Sequence, residues 1–153
     1  MKIFRLKYEQ HIFRPLEEVF TFFSRPENLA HITPTALGFI ILTPLPINMR
    51  SGVLISYMIR IFGIRVRWVS IITSYDPPMR FIDEQLRGPY LFWHHTHTFR
   101  EHEGGTLITD EVKYAVPFGI LGRIVRRLFV RRQLDKIFSY RTGVIREIFS
   151  DNK

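Results

Sequence analysis

Three histidines lie close together in an apolar run that reads GPYLFWHHTHTF from Gly88 to Phe99. A Gly-Gly-Thr turn and a second alternating run, ITDEVKY, follow directly and place a carboxylate at Asp110. An imidazole oriented by a carboxylate can act as a general acid or base near neutral pH. Two imidazoles two residues apart on a strand could also face one metal ion. The pattern therefore indicates polar, titratable groups that line an otherwise apolar interior.

Strand parity predicts which of these side chains face inward, because successive side chains of a strand point to opposite faces. In the run 91–99 the odd residues are expected inside and His94 outside, and in the following strand the even residues are expected inside. A turn over residues 102–105 fixes the register and places His97 opposite Asp110. The same register predicts three further pairs, Phe99–Ile108, His95–Val112 and Trp93–Tyr114.

An inward Asp110 must be paired, hydrogen-bonded or protonated, and His97 is the nearest partner in this register. In a catalytic interpretation, Asp110 orients His97, which acts as general acid or base on a ligand carbonyl or hydroxyl. In a structural interpretation, the two side chains satisfy each other's hydrogen bonds within a core. A metal held by His95, His97 and Asp110 is a third interpretation. Because no further ligand of suitable spacing is visible, we predict neither a metal nor a cofactor.

The elements that must position these residues follow from hydrophobic periodicity and from glycine and proline turns. Residues 2–13 alternate as a strand, and a short helix follows Pro15 and ends at Ser24-Arg25-Pro26, with a second short helix over 27–31. Strand-like runs then cover 36–43, 52–62, 65–75, 79–87, 91–101 and 106–116. The segment 119–149 describes one long amphipathic helix. This order predicts a single α+β domain over 1–153, with a curved antiparallel sheet of about seven strands wrapped on a long C-terminal helix.

Three stretches of the chain resemble the SRPBCC superfamily. They are RPLEEVFTFFSRPENLAHITP after the first strand, WVSIITSYDPPMRFIDEQLRGPYLFWHHTHTF, and GGTLITDEVKYAVPFGILG before the basic terminal helix. The superfamily has the helix-grip fold and includes START lipid-transfer domains, polyketide cyclases and dehydratases, coenzyme-Q-binding proteins and Bet v 1-like allergens. The resemblance spans nearly the whole chain and is closest to a bacterial ligand-binding subgroup. It implies a deep hydrophobic pocket between sheet and C-terminal helix, but no universal catalytic residues, since members range from carriers to enzymes.

Parity and this resemblance together predict the pocket wall. The run 66–72 directs its even residues inward because Arg65 and Arg67 occupy the other parity, whereas in 81–87 the resemblance favours the odd residues. The predicted ligand-binding residues are Tyr57, Trp68, Ser70, Asp83, Gln85, Trp93, His95, His97, Phe99, Asp110 and Tyr114.

Three functions remain open at this point. The first is binding or transfer of a small or medium hydrophobic ligand such as a lipid, a quinone or a polyketide-like molecule. The second is a cyclase- or dehydratase-like enzyme in which His97 and Asp110 move a proton; beyond these two candidates, catalytic residues are unknown. The third is an interaction or membrane-docking protein that uses its basic C-terminal helix.

The net charge of +8 is concentrated in this helix. Such a stripe suits an anionic membrane or an acidic partner, and the alternative is a solvated helix face. The residues expected to meet an anionic surface are Arg123, Arg126, Arg127, Arg131 and Arg132.

The remaining composition narrows the class of protein. The absence of cysteine excludes a disulfide framework and a thiol nucleophile and suits a reducing compartment. The N-terminal residues lack the apolar stretch of a signal peptide, and charges interrupt every later apolar run, so we predict a cytoplasmic protein. The aromatic residues alternate with aliphatic ones at core parity and form no RNA-recognition signature, so no nucleic-acid partner is expected. The oligomeric state stays open.

Overall fold

One antiparallel sheet of seven strands provides the frame of the protein. The computed structural model describes residues 1–150. The strands are β1 (Phe4–Ile12), β2 (Ile40–Ile41), β3 (Leu54–Ile61), β4 (Ile64–Asp76), β5 (Arg80–Arg87), β6 (Phe92–His102) and β7 (Gly105–Ala115). Their order across the sheet is β1-β7-β6-β5-β4-β3-β2, so β3 to β7 form a meander and β1 pairs with β7. The predicted α+β class is therefore confirmed.

The helices lie before and after this meander. Helix α1 (Leu16–Phe23) follows β1, and two short 3₁₀ helices (Pro26–Ala30 and Thr35–Leu37) lead to β2. The C-terminal helix consists of α2 (Gly119–Val125), a π-helical turn (Arg126–Val130) and α3 (Arg131–Ser150). The strand predicted over 36–43 is only two residues long in the structure. Gly38 there takes a left-handed conformation that ends the 3₁₀ helix, and Pro44 and Pro46 offer no N–H to a ladder.

The β6–β7 hairpin has the predicted register. His97 pairs with Asp110, and the other three expected pairs are also present. The two-residue turn of Glu103 and Gly104 has positive φ at both positions, which is the turn geometry that matches the twist of paired strands. The predicted parity holds from residue 93 to residue 99, but Leu91 precedes the strand and is 59% exposed.

Two clusters of apolar side chains join the helices to the inner face of the sheet, the face that α1 and α3 cover. One surrounds α1 and the end of α3, and its aromatic centre is Phe20, whose ring meets Phe99 edge-on at 5.2 Å. The other joins the two tryptophans of the sheet to Leu134 and Phe138 of α3. Because α3 turns Leu134, Phe138 and Ile145 inward at helical spacing, it closes over the sheet as the sequence predicts.

The first turns of the C-terminal helix differ from the prediction. An amphipathic helix over 119–149 that packs on the sheet would turn Leu121, Ile124 and Leu128 inward, but they are 67%, 52% and 54% exposed. Gly122 is buried in their place, and a Cβ at this position would lie 1.7 Å from the Pro117 carbonyl oxygen. This close approach of helix and chain turns the apolar side of α2 away from the sheet.

Candidate functional site

A cavity of about 190 Å³ lies between the inner face of the sheet, the 3₁₀ segments and α3. Its wall is mainly aliphatic and aromatic, and both tryptophans of the chain belong to it. An apolar cavity of roughly 150 Å³ in a protein interior is large enough to bind benzene. The cavity can therefore hold a molecule with at least one ring.

Four titratable side chains from three neighbouring strands meet at the sheet side of this cavity. Asp83 lies on β5, His95 and His97 on β6, and Asp110 on β7. His97 Nε2 lies 2.6 Å from Asp83 Oδ2, and His95 Nε2 lies 2.8 Å from Asp110 Oδ1. The two imidazole rings stack with centroids 3.7 Å apart. We call these four residues the carboxylate–imidazole cluster.

The cluster forms through diagonal contacts across the strands. Asp83 is paired directly with His95 and Asp110 directly with His97, yet each carboxylate makes its shortest contact with the other histidine. The direct neighbours are farther apart, with His97 Nδ1 3.3 Å from Asp110 Oδ1 and His95 Nδ1 3.8 Å from Asp83 Oδ2. The predicted His97–Asp110 contact therefore exists, but Asp83 is the closer partner of His97.

The two carboxyl groups of the cluster are held in their ionised form. Burial by itself would raise the pKa of Asp110, but hydrogen bonds from His95 and His97 outweigh it and hold this pKa well below its usual range. Burial likewise opposes ionisation of Asp83, and the hydrogen bond from His97 with the charges around it lowers the pKa of Asp83. The cluster therefore presents two negative charges that must be balanced nearby.

The pKa values of the two histidines are shifted in opposite directions. Burial lowers the pKa of both, and the positive charge of His97 lowers the pKa of His95 further. For His97, hydrogen bonds to Asp110 and Asp83 outweigh burial and raise the pKa. A protonated His97 then donates from both ring nitrogens, whereas a neutral His95 donates from Nε2 to Asp110 and keeps a lone pair on Nδ1.

The same donor atoms were tested as a metal site. Asp83, His95 and His97 offer ligand atoms within 4.8 Å of one another. The stacked rings are inclined by only 25°, so the lone pairs of their nitrogens lie in nearly parallel planes, whereas a tetrahedral or octahedral ion needs lone pairs that converge. The geometry fits shared protons better than a shared ion, and both rings would have to turn to bind one.

The structure brings most of the predicted ligand-binding residues to the cavity wall. Within the wall, Trp68 Nε1 donates to Ser70 Oγ at 3.0 Å, and burial raises the pKa of Tyr57, so its phenol stays neutral. The wall contains Tyr57, Trp68, Ser70, Asp83, Trp93, His95 and His97.

Four of the predicted residues lie outside the wall. Gln85 folds back on its own strand end, where its amide donates to the Tyr90 carbonyl at 2.7 Å and accepts from the Tyr90 N–H. Phe99 and Tyr114 are almost fully buried within the two apolar clusters. Asp110 contacts the histidines from β7 but does not line the cavity. Parity gives the inner face for Phe99, Asp110 and Tyr114, whereas Gln85 was assigned by the resemblance. The depth of the cavity along the inner face does not follow from parity.

Arg141 of α3 is a wall residue that the sequence prediction missed. Its guanidinium carbon lies 4.9 Å from the centre of the Phe138 ring, and its charge lowers the pKa of Asp83. Among the described residues its Nε is buried without a hydrogen-bond partner. Helical spacing was the available signal, because residue 141 falls on the same face as Phe138 and Ile145, which are both buried.

The basic residues of the C-terminal helix do not share one face. Arg127, Arg131 and Arg132 are exposed, and Arg131 Nε lies 3.5 Å from Asp135 Oδ2 in the next turn. Arg126 was expected to meet an anionic surface, but its guanidinium carbon lies 3.8 Å from the centre of the Phe4 ring. Exposed Arg123 borders a second cavity near Phe4. No helix in the described part of the chain is both long and apolar enough to cross a membrane.

Several solved structures superpose on this chain over most of its length. A protein from Rhodobacter sphaeroides superposes with a TM-score of 0.71 and 17% identity over 97% of this chain and 94% of that one. Protein Ms6760 from Mycobacterium smegmatis gives 0.70 and 17% identity over 97% and 92%. The protein Ara h 8.0201 gives a TM-score of 0.61 and 14% identity over 94% of this chain and 99% of that one.

The chain has the Bet v 1-like helix-grip fold. No protein-family model matches the sequence, and no curated protein matches it. At these identities the likeness concerns the fold alone. Within the helix-grip fold, the cavity between sheet and C-terminal helix is the structural feature in which a site can be sought.

Proposed function

We propose that this protein is an SRPBCC-type carrier that binds a hydrophobic ligand in the cavity between sheet and α3. The ligand class is a ring-containing or lipid-like molecule, such as a quinone or a polyketide-like compound, with at least one polar oxygen. The observation that supports the proposal is the composition of the wall. It is apolar over most of its area, yet it also contains the half-buried Asp83 and Arg141 and the buried His95 and His97.

The polar groups define how such a ligand would be oriented. Neutral His95 keeps a lone pair on Nδ1, where Asp83 Oδ2 lies 3.8 Å away and makes no hydrogen bond, and this nitrogen can accept a hydrogen bond from a ligand hydroxyl. Arg141 approaches from α3 with an unsatisfied Nε–H and can donate to a carbonyl, hydroxyl or carboxylate oxygen. A buried donor that lacks a partner costs free energy, so a ligand oxygen that satisfies it contributes to affinity. Apolar contacts with Trp68 and Trp93 would hold the remainder of the ligand.

Ligand binding can be measured through the fluorescence of the two tryptophans, because both line the cavity. We suggest titrating matched alkylbenzenes, alkylphenols and alkylbenzoates, which share the apolar part and differ in the polar group. The phenols should bind up to about tenfold more tightly than the alkylbenzenes, because one neutral hydrogen bond contributes about 0.5–1.5 kcal/mol, and the benzoates at least about tenfold more tightly, because a hydrogen bond to a charged group contributes about 1.5–3 kcal/mol. Substitution Arg141→Met should remove most of the preference for the benzoate.

A cavity-filling variant provides the control for location. Ile59→Phe places a larger side chain in the wall and should weaken all three series. Ile82→Phe adds the same volume on the outer face of the neighbouring part of the sheet and should leave affinity unchanged. Failure of every series to give a saturable change in fluorescence would contradict the proposal.

An enzyme of the cyclase or dehydratase type is the second candidate, and the state of His95 favours it. The predicted base His97 has a raised pKa and a carboxylate oxygen within 3.3 Å of each ring nitrogen, so in its protonated form it donates from both nitrogens and offers no lone pair. His95 is neutral and lines the cavity, which makes it the better base in this arrangement.

Incubation of the protein with a diketo ester, followed by mass spectrometry for loss of water, tests this activity. For an enzyme, His95→Gln should abolish turnover and change binding only a few-fold, whereas a carrier shows no turnover in either form.

A further inference from the structure

The first turns of the C-terminal helix expose an unusual amount of apolar surface. Leu121, Ile124 and Leu128 recur at spacings of three and four residues, so they lie on one side of the helix, and each is more than half exposed. Ile120 and Phe129 extend this side and are 71% and 53% exposed. An amphipathic helix normally turns such residues toward the core, so their exposure requires a separate reason.

The hairpin between β3 and β4 adds to the same surface. Phe62 at its tip is 64% exposed, and its ring centroid lies 6.3 Å from that of Phe129. Ile64, two residues later, is 69% exposed. We define the apolar platform as Phe62, Ile64, Ile120, Leu121, Ile124, Leu128 and Phe129. Along the helix it extends roughly 14 Å from residue 120 to residue 129.

Two exposed phenylalanines have left-handed backbone, one in the two-residue turn between β3 and β4 and the other directly before α2. Phe62 has a φ of 49°, and Phe118, which precedes α2, has a φ of 68°. Bulky side chains rarely adopt left-handed backbone, where glycine is favoured, so each position carries local strain. Phe118 is nevertheless 82% exposed, so no burial within the described fold offsets its strain. Two strained aromatic residues thus present their rings outward beside or within the platform.

Positive charge borders the platform. Arg127, Arg131 and Arg132 are exposed on the same helix, while Arg126 is withdrawn to the ring of Phe4. An exposed apolar strip flanked by arginines matches the boundary between the acyl chains and the anionic headgroups of a bilayer. A second copy of this chain would be a poor partner, because a symmetric contact would bring the same arginines together.

We propose that the apolar platform docks the protein on an anionic lipid bilayer. The aromatic and aliphatic side chains enter the headgroup–acyl boundary, and Arg127, Arg131 and Arg132 contact lipid phosphates. The platform also borders the cavity, since Phe62 follows the wall residue Ile61 and Phe129 precedes the wall residue Gln133 by one helical turn. Docking therefore places a rim of the cavity at the membrane. Docking itself does not depend on the proposed ligand binding.

Sedimentation of the full chain with vesicles tests the proposal. Vesicles of phosphatidylcholine alone are compared with vesicles that contain phosphatidylglycerol, at low and at high salt. The protein should partition onto the anionic vesicles and be released by salt. The double substitution Arg127→Glu and Arg132→Glu should reduce partitioning by at least about tenfold, since each basic side chain near an anionic surface contributes roughly fivefold. The double substitution Leu121→Glu and Leu128→Glu should also abolish binding.

Matched controls separate the platform from general charge and hydrophobicity. Arg80→Glu with Arg100→Glu makes the same change in net charge on exposed strand residues away from the helix, and Leu86→Glu removes an exposed leucine of β5. Both should bind as the unmodified protein does. Circular dichroism and the cavity titration with alkylphenols should be unaffected in all variants, which keeps a docking failure distinct from a loss of fold or of ligand binding.

Three results would overturn the proposal. The first is an absence of partitioning onto the anionic vesicles. The second is binding that the leucine substitutions leave intact, because the apolar platform would then not be the contact. The third is a dimer in analytical ultracentrifugation that the same leucine substitutions dissociate, because a second copy would then cover the platform.

Discussion

The two histidines of the carboxylate–imidazole cluster should give the folded protein a stability maximum near the ordinary histidine pKa of about 6.5. The pKa of His97 is raised in the folded state. Its stabilisation is therefore fully present below about pH 6.5 and is lost as the pH rises through the folded pKa. The pKa of His95 is lowered in the folded state. Below about pH 6.5, His95 binds a proton in the unfolded chain but not in the folded protein. The free energy of unfolding therefore also falls as the pH is lowered.

The size of the effect follows from the number of protons involved. One proton separates the folded and unfolded states on each side of the maximum, so the free energy of unfolding should change by up to about 1.4 kcal/mol per pH unit in each direction. Substitution His95→Gln isolates the acidic side. Glutamine cannot titrate, but its amide can still donate to Asp110. Below about pH 6.5, the free energy of unfolding of the variant should therefore fall less steeply than that of the unmodified protein. Above this pH, the two should depend on pH in the same way.

Urea unfolding measured by tryptophan fluorescence at intervals from about pH 5 to pH 9 provides the assay. Subtracting the variant curve from that of the unmodified protein removes the contributions of the other titrating groups. The difference should rise with pH up to about pH 6.5 and then level off. His31→Gln, which removes an exposed imidazole outside the cluster, is the matched control. A difference curve for His95→Gln that is flat below about pH 6.5 would refute the assignment of a neutral buried His95.

Two further substitutions test the cluster and the core through the same unfolding measurement. Asp110→Asn removes the charge that accepts from His95 and faces His97, and it should cost about 2–4 kcal/mol at neutral pH, because His97 is then left with one carboxylate. An unchanged midpoint would show that Asp110 is not ionised in the folded state. Phe20→Ala removes a ring that is 4% exposed and packs against Phe81 and Phe99, so a loss of about 3–5 kcal/mol is expected. A loss below about 1 kcal/mol would mean that this region repacks around the cavity.

The docking and ligand proposals can be examined separately because they use different parts of α2 and α3. The platform residues precede position 130, whereas the wall residues Leu134, Phe138 and Arg141 follow it. The π-helical turn at Arg126–Val130 contains the last two platform residues, Leu128 and Phe129, and precedes the wall residues of α3. An inserted residue in a helix rotates everything that follows it, so this turn allows the apolar side to face outward before it and inward after it.

The sequence alone determined the strands, their turns and the inward parity, because these depend on residues near one another in the chain. Alternation assigned His95 and His97 to the inner face, and the Glu103–Gly104 turn fixed Asp110 opposite His97. The outward position of His94 follows from the same rule, and its Nδ1 contacts Glu84 on the other face at 3.1 Å.

Only the tertiary structure decided what these side chains meet. The closer partner of His97 is Asp83, which lies on the other neighbouring strand, β5. Because this contact is diagonal, neither parity nor the hairpin register predicts it. Arg141 reaches the cavity because α3 packs across the sheet, and the apolar side of α2 faces outward because Gly122 packs on Pro117. Such contacts depend on the packing of whole elements against one another, whereas local periodicity specifies only the face that each element offers.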